Sequence, residues 1–284
     1  MSRELVAVKG HGTENDFVVI DDLQAVLSLS PSLVRALCDR HSGIGADGVL
    51  RVVRTELATE PDVRAQATQA PYFMDYHNAD GSIAEMCGNG IRVFARYLQR
   101  GGIIDRAATI ATRGGPRAVT LDGADITVDM GSVTRRPERP TVTTDGLLGA
   151  RPGVAVELPN PHVVVEVATE QALADLDLSR APRVIPGLPD GQNVEFFVRT
   201  GRHRLRMRVH ERGVGETRSC GTGICAVVYA AAAGHATARE EWTVDLPGGQ
   251  CRVCFTKSDS VLLTGPAVLV ADLRIADEWL SVHR

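Results

Sequence analysis

The chain has 284 residues, of which 44% are hydrophobic and 23% charged, with a formal net charge of −4. That is ample for one large core or two ordinary ones, and the mild, interspersed charge excludes a basic nucleic-acid or anionic-membrane binder. Aromatic content of 4% argues against base stacking, no run approaches the ~18 apolar residues of a membrane span, and the six cysteines read as free thiols rather than a disulfide frame.

The opening MSRELVAVKGHG has no long apolar core after its basic residue, so no signal peptide is expected and the default compartment is the cytoplasm. Leu5 to Asp22 reads as a strand (LVAV), a polar loop (KGHGTEND) and a second strand (FVVID), with Asn15 at the end of the loop. Ser30-Pro31 is an N-cap followed by proline at the first helical position, opening a helix to about Arg40 with Leu33, Leu37 and Cys38 on its core face. Gly43 to Gly48 spells G-x-G-x-x-G, but it follows a helix and precedes a strand. That is the reverse of a dinucleotide fingerprint, so it is rejected as a cofactor site. Residues 55–71 are polar with two prolines and read as an exposed excursion. Short strands follow at Tyr72–Tyr76, ATIAT and ITVDM.

From Thr134 to Gly153 the chain is rich in Pro, Arg and Gly, which makes it the best linker candidate. VAVELPNPHVVVEV reads as a strand interrupted at Asn160-Pro161-His162; VEFFV and LRMRVH follow. Cys251 and Cys254 lie three apart in QCRVCF, a spacing that in a strand puts them on opposite sides. Many short strands and few helices predict an α+β chain. Two pseudo-symmetric domains are expected, each a curved mixed sheet or barrel around a central helix, spanning 1–133 and 134–273, with the tail 274–284 packing back on the first.

The symmetry rests on a repeat. His77 to Gly101 and His210 to Gly234 align on Cys87 and Cys220, sharing Gly88/Gly221, Gly90/Gly223 and Ile91/Ile224 at a constant offset of 133. Each copy puts one cysteine where a Gly-rich turn enters a helix. The helix dipole and free backbone N–H groups there favour thiolate, so each thiol is expected to fall from ~8.5 toward neutrality. The glycines let those N–H groups approach an anion such as a carboxylate. Two such cysteines facing each other could work on one α-carbon, one removing a proton and the other delivering one, with the N–H groups stabilising the enolate. Buried structural thiols, a dithiol redox couple and a metal site built on Cys220, Cys225, Cys251 and Cys254 are the alternatives at this level. The metal reading is weakened because Cys225 falls inside the apolar helix.

The blocks HGTENDFVVID, CDRHSGIGADG, HNADGSIAEMCGNGIRVFARYL, VDMG, NPH, QNV, ERGVGETRSCGTGICA, DLPGGQ and LTGPA, in this order, resemble the diaminopimelate epimerase family over most of the chain. The resemblance implies a cofactor-independent isomerase that converts L,L-diaminopimelate to the meso form, serves lysine and peptidoglycan synthesis and acts as a homodimer. Cys220 matches the family's base for the L,L substrate and Cys87 its proton donor. Gly88, Asn89, Gly221 and Thr222 match the binders of the reacting carboxylate, and Glu211 the acceptor of the α-ammonium. Arg212 has the bidentate fork for a distal carboxylate. Asn15, Asn78, Asn160 and Asn193 match the asparagines around the distal end, and His162 the histidine beside the reacting centre. Glu14, Pro159 and Gly48 depart from the common family pattern. A proline racemase-type enzyme is the near rival, disfavoured by Arg212 and the asparagines. An isomerase with a single carboxylate base is disfavoured by the two cysteines.

Overall fold

The computed structural model describes residues 5–232, 240–257 and 260–283, so Gly234 of the repeat lies outside the described residues. The chain forms two compact units, Met1–Val128 with Pro266–Arg284, and Asp129–Gly265, dividing at 128/129 and 265/266 where the sequence suggests 133/134 and 273/274.

The first unit begins with β1 (Leu5–Gly12) and β2 (Asn15–Asp21), which pair antiparallel with Gly12 opposite Asn15. The expected polar loop is therefore only Thr13 and Glu14, both with positive φ (50° and 60°), the signature of a primed hairpin turn. β1 runs on because His11 and Gly12 still find ladder partners in Asp16 and Asn15. α1 (Pro31–Cys38) starts as expected, with the Ser30 hydroxyl accepting from the Leu33 N–H at 3.1 Å, and it ends two residues before Arg40. Its buried Leu33, Val34, Leu37 and Cys38 pack against Val18, Ile20 and Val49.

β3 (Gly48–Arg54) lies parallel to β2, and β4 (Tyr72–Asn78) antiparallel to β3. Between them, a 3₁₀ turn (Thr55–Leu57) and α2 (Pro61–Arg64) correct the reading of 55–71 as an exposed excursion. Ala58, Val63 and Ala70 are buried against Val53, Phe73 and Ala111, and Thr55 donates to the Ala70 carbonyl from a fully buried position. α3 (Gly88–Arg100) buries Ile91, Val93, Phe94 and Leu98, each contributing roughly 1.5–3 kcal/mol by removal from water. β5 (Ala107–Ala111), β6 (Arg117–Asp122) and β7 (Asp125–Ser132) complete this part as an antiparallel meander.

In the second unit the linker candidate is structured. β8 (Thr134–Arg135) pairs with β11 (Val154–Leu158), and β9 (Thr141–Thr143) sits between β10 (Arg151–Pro152) and a later strand at Arg183–Ile185. Val142 anchors this ribbon in a core with Val163, Val165 and Phe196. The prolines that suggest a linker sit at short strand ends, where no ladder donor is needed. Pro159 corrects a second reading. The stretch expected as one interrupted strand folds back there, so that β12 (Asn160–Glu166) pairs antiparallel with β11, Leu158 opposite Asn160.

After α4 (Glu170–Ala174) and β13 (Arg183–Ile185), β14 (Asn193–Gly201) runs parallel to β12 with His162 opposite Asn193. β15 (Arg204–Glu211) and β16 (Gly215–Thr217) follow. α5 (Gly221–Ala231) is buried almost all round and packs on β11, β12 and β14. β17 (Trp242–Leu246), β18 (Gly249–Phe255) and β19 (Ser260–Pro266) close the unit, with Cys251 buried and Cys254 half-buried on β18. The chain returns to the first unit as β20 (Val268–Ile275), antiparallel to β1, and α6 (Asp277–His283). No helix among the described residues is long and apolar enough to cross a membrane.

Candidate active site

Both cysteines of the repeat occupy the N-cap of a helix, in the same extended backbone conformation: φ −138°, ψ 121° at Cys87 and φ −129°, ψ 113° at Cys220. In each turn the cysteine carbonyl accepts the first helical N–H at 2.9 Å, from Ile91 and from Ile224. The two frames are alike; their surroundings are not.

In the first unit the Cys87 sulfur accepts from the Gly90 N–H at 3.4 Å and meets Asn15 Oδ1 at 3.7 Å. Asn89, the second residue of α3, donates its side-chain amide to the same Oδ1 at 3.1 Å. Asn15 in turn donates Nδ2 to Asp47 Oδ2 at 2.8 Å, and Arg40 clamps Asp47 and Asp16 together at 2.8 and 2.7 Å. Asn15, Asn89 and Cys87 are thus one cluster. Asn78 at the end of β4 spends its Nδ2 on Ser82 Oγ at 3.0 Å. Gly88 opens α3 as a buried residue. Gly48, one of the departures from the family pattern, leaves no room for a side chain: a Cβ would meet the His77 carbonyl oxygen at 2.6 Å.

In the second unit the Cys220 sulfur has no cap bond from the turn N–H; it lies 3.6 Å from Thr222 Oγ1 and 3.8 Å from Asn193 Nδ2, with Glu211 acting on it. Glu211 also accepts from the Thr217 hydroxyl. Arg212 donates its backbone N–H to Asn193 Oδ1 at 2.9 Å, while its guanidinium caps the Asp190 carbonyl. His162 is fully buried, with Nδ1 2.7 Å from Glu195 Oε1 and Nε2 3.1 Å from Asn160 Oδ1. Asn160, His162, Asn193, Glu211 and Cys220, together with the first-turn residues Gly221 and Thr222, belong to this unit and surround the start of α5.

The electrostatics overturn the expected thiol shift at Cys220. Burial pushes this thiol well above its ordinary value, and the negative charges of Glu211 and Glu195 push it further; Thr222 and the Gly223 N–H oppose them without winning. The helix terminus supplies only partial charges, whereas two whole carboxylate charges and desolvation act on the same sulfur. Glu211 is raised as well, first by burial and then by Glu195, against the bonds from Thr217 and Cys220. Two carboxylates beside a thiol, with Glu211 held up by burial and by Glu195, make this pocket suited to a cationic group.

Asp47 and Glu195 escape the sequence reading. Glu195 has no exposed surface, and its Oε2 has no hydrogen-bond partner among the described residues. An acidic residue inside the apolar run VEFFV is the signal that could have found it. Asp47 lies in the G-x-G-x-x-G stretch, whose rejection as a cofactor loop left its carboxylate without a role.

The diaminopimelate epimerase family model matches residues 7–136 and 154–270. The diaminopimelate epimerase of Thermobifida fusca is 49% identical over 269 residues, covering 93% of this chain and 95% of that protein. That of Streptomyces coelicolor is 45% identical over 297 residues, covering 99% of each. Among solved structures, a hydroxyproline epimerase from Agrobacterium vitis superposes with a TM-score of 0.69 over 97% of this chain and 93% of that one, at 14% identity. A phenazine biosynthesis PhzF-family protein from Bacillus anthracis does so with a TM-score of 0.65 over 97% and 100%, at 15% identity. These two likenesses concern the fold. With the family pattern spread across both units and two near full-length relatives at 45% and 49% identity, the chain belongs to the diaminopimelate epimerase family.

Proposed function

We propose that this protein is a cofactor-independent amino-acid epimerase that converts L,L-2,6-diaminopimelate to meso-diaminopimelate in the cytoplasm, for lysine and peptidoglycan synthesis. The observation that carries the reading is the pair of N-cap cysteines, one per unit, in matched turns of a chain from this family. Inversion at an α-carbon needs one group to take a proton from one face and another to supply one to the opposite face. Cys220 serves as base for the L,L substrate and Cys87 as acid. The C–H bond electrons pass into the enolate, the Cys220 sulfur takes that proton, and the Cys87 S–H bond breaks to form the new C–H bond.

Backbone N–H groups at Gly88, Asn89, Gly221 and Thr222 hold the reacting carboxylate and stabilise the charge that develops on it. Glu211 receives the α-ammonium, in keeping with the electronegative pocket. Arg212 takes the distal carboxylate, Asn15, Asn78, Asn160 and Asn193 frame the distal end, and His162 stands beside the reacting centre. Burial is the larger cause of the raised Cys220 thiol; arrival of the ammonium offsets the carboxylate share and so moves this thiol toward its role as a base. A homodimer accompanies this reading, supported by Val268 and Val270, 46% and 59% exposed at alternate positions of β20.

Incubation with L,L-diaminopimelate in D2O, with α-proton exchange followed by NMR and stereochemistry by chiral chromatography, tests the activity. Meso product carrying deuterium at one α-carbon, lost in Cys87→Ser and in Cys220→Ser, is the expected result. Folded, reduced protein that exchanges nothing would sink the substrate, and proline and hydroxyproline would be tried next. Light scattering of Val270→Asp against the parent tests the dimer, with loss of half the mass expected.

A further inference from the structure

A primary amide has a donor end and an acceptor end, and an obligatory partner at one end dictates what the other end presents. Asn15 and Asn193 each place an amide against one cysteine sulfur, and each is locked in this way. Asn15 gives Nδ2 to Asp47 Oδ2 at 2.8 Å; that oxygen also accepts the Asp16 backbone N–H at 3.1 Å, so it presents a lone pair whatever its charge. The carbonyl end of Asn15 is left facing Cys87 at 3.7 Å, with Asn89 Nδ2 on the same oxygen at 3.1 Å. Asn193 is locked the other way. Its Oδ1 takes the Arg212 backbone N–H, which can only donate, at 2.9 Å, and its Nδ2 is left facing Cys220 at 3.8 Å.

A lone pair beside a sulfur accepts S–H and repels S⁻; an N–H does the reverse. The Gly90 turn N–H bonds the Cys87 sulfur, whereas Cys220 has no such cap bond and meets the Thr222 hydroxyl instead; the two amides are the neighbours that the sulfurs share in kind, with opposite ends presented. We infer that Asn15 and Asn193 are protonation-state selectors of opposite sign: Asn15, positioned by Asp47, favours the Cys87 thiol, and Asn193, positioned by the Arg212 main chain, favours the Cys220 thiolate. The inference deepens the epimerase reading and rests on it for the direction of proton flow. It gives the acid role of Cys87 and the base role of Cys220 a hydrogen-bond cause, and it gives Asp47 a part in the site as a positioning residue acting through Asn15.

The charged groups around Cys220 are Glu211 on β15, Glu195 on β14 and His162 on β12. On the Cys87 side, Asp47, Arg40, Asp16 and Lys9 lie behind the Asn15 amide, and Arg92 donates to the Gly88 carbonyl. The carboxylates near Cys220 oppose Asn193 in the ligand-free protein. Glu211 can hold or release a proton toward the sulfur, whereas the Asn193 N–H remains a donor throughout.

The test is site-resolved alkylation of the full chain by iodoacetamide at pH 8, with the Cys87 and Cys220 peptides quantified by mass spectrometry in the parent, Asn15→Leu and Asn193→Leu. Leucine conserves bulk and changes no charge. Asn15→Leu should speed alkylation of Cys87 by about threefold or more and Asn193→Leu slow that of Cys220 by a similar factor, since half a pKa unit is about threefold in thiolate. If asparagine merely solvates the thiolate, both substitutions slow their cysteine; same-sign changes, or no change, overturn the inference. Should a variant fail to fold, the infrared difference between the wild-type chain and Cys87→Ala reports the Cys87 S–H stretch directly. A band lowered by donation to Asn15 is expected, and one at the frequency of an unbonded thiol overturns it. Neither readout needs turnover, so loss of the diaminopimelate assignment and loss of the selector assignment are separately visible.

Discussion

Gly90 and Gly223 hold the same place in the two cysteine turns, yet alanine at each is expected to act with opposite sign. A Cβ on Gly223 would lie 2.8 Å from Glu195 Oε1, 3.2 Å from Glu195 Cγ and 3.3 Å from Cys220 Cβ. Glu195 cannot yield, because it is fully buried and its Oε1 is held 2.7 Å from His162 Nδ1. Overpacking of this kind costs about 1–3 kcal/mol, against about 1 kcal/mol recovered by replacing glycine with alanine in a helix, for a net loss of up to about 2 kcal/mol. A Cβ on Gly90 would meet Leu50 Cδ2 at 3.3 Å, Cys87 Cβ at 3.4 Å and Phe17 Cζ at 3.5 Å. The nearest of these is the far end of a leucine that can move a few tenths of an ångström, so the helix gain survives. At about 2–4 °C per kcal/mol for chains of this size, calorimetry should find Gly223→Ala lowered by up to roughly 8 °C and Gly90→Ala unchanged or slightly raised. Equal shifts, or a stabilised Gly223→Ala, would refute the claim that the Glu195–His162 pair is rigid beneath α5.

Alkali should weaken the fold through its buried thiols. Cys38 is pushed up to about 12 and Cys220 well above 9, chiefly by burial, so the native state keeps protons that the unfolded chain releases above ~8.5. The stability these thiols contribute is whole below that pH and is lost as pH rises toward their native values, at ~1.4 kcal/mol per pH unit for each thiol. Cys220→Ala should therefore flatten the fall in melting temperature between pH 8 and 10, and an unchanged slope would count against the raised thiol. Glu195→Gln keeps the shape and the acceptor for His162 while removing a charge that raises Cys220; alkylation of Cys220 at pH 8 should accelerate several-fold, and no acceleration would refute its part in raising the thiol.

The duplicated frame was legible because glycine spacing and helix entry are local. Cys87 and Cys220 announce N-caps by the turn-then-apolar-run pattern, and Ser30-Pro31 announces α1 by capping chemistry that needs no tertiary information. What escaped depends on partners distant in sequence. Val142 turns a proline-rich stretch into structure by reaching a core built from β12 and β14, and Ala58, Val63 and Ala70 anchor a polar segment through three small apolar contacts that no periodicity displays. The hairpin at Pro159 was hidden because β11 and β12 are both apolar runs, indistinguishable from one strand until the turn is placed. The Cys220 shift was misjudged for a similar reason. The helix terminus is written in neighbouring residues, but Glu195 is 25 positions upstream and Glu211 faces the sulfur only after β14, β15 and α5 have packed.

Duplication explains the shared frame, and divergence around it explains how two like thiols can do unlike jobs. Two identical turns would give their sulfurs identical tendencies, and a proton would have no preferred owner. The asymmetry lies instead in what the flanking strands bring to each turn. β2 brings an amide carbonyl to Cys87, oriented by a carboxylate from the loop before β3. β14 and β15 bring an amide N–H and two buried carboxylates to Cys220. Burial first, and the two carboxylates with it, hold the Cys220 thiol up, which protects a buried nucleophile from oxidation; a cation that neutralises the carboxylates removes their share. On the proposed reading, that gives an ammonium substrate an advantage over a simple carboxylic acid, which would leave the carboxylate share of the shift in place and Cys220 a thiol.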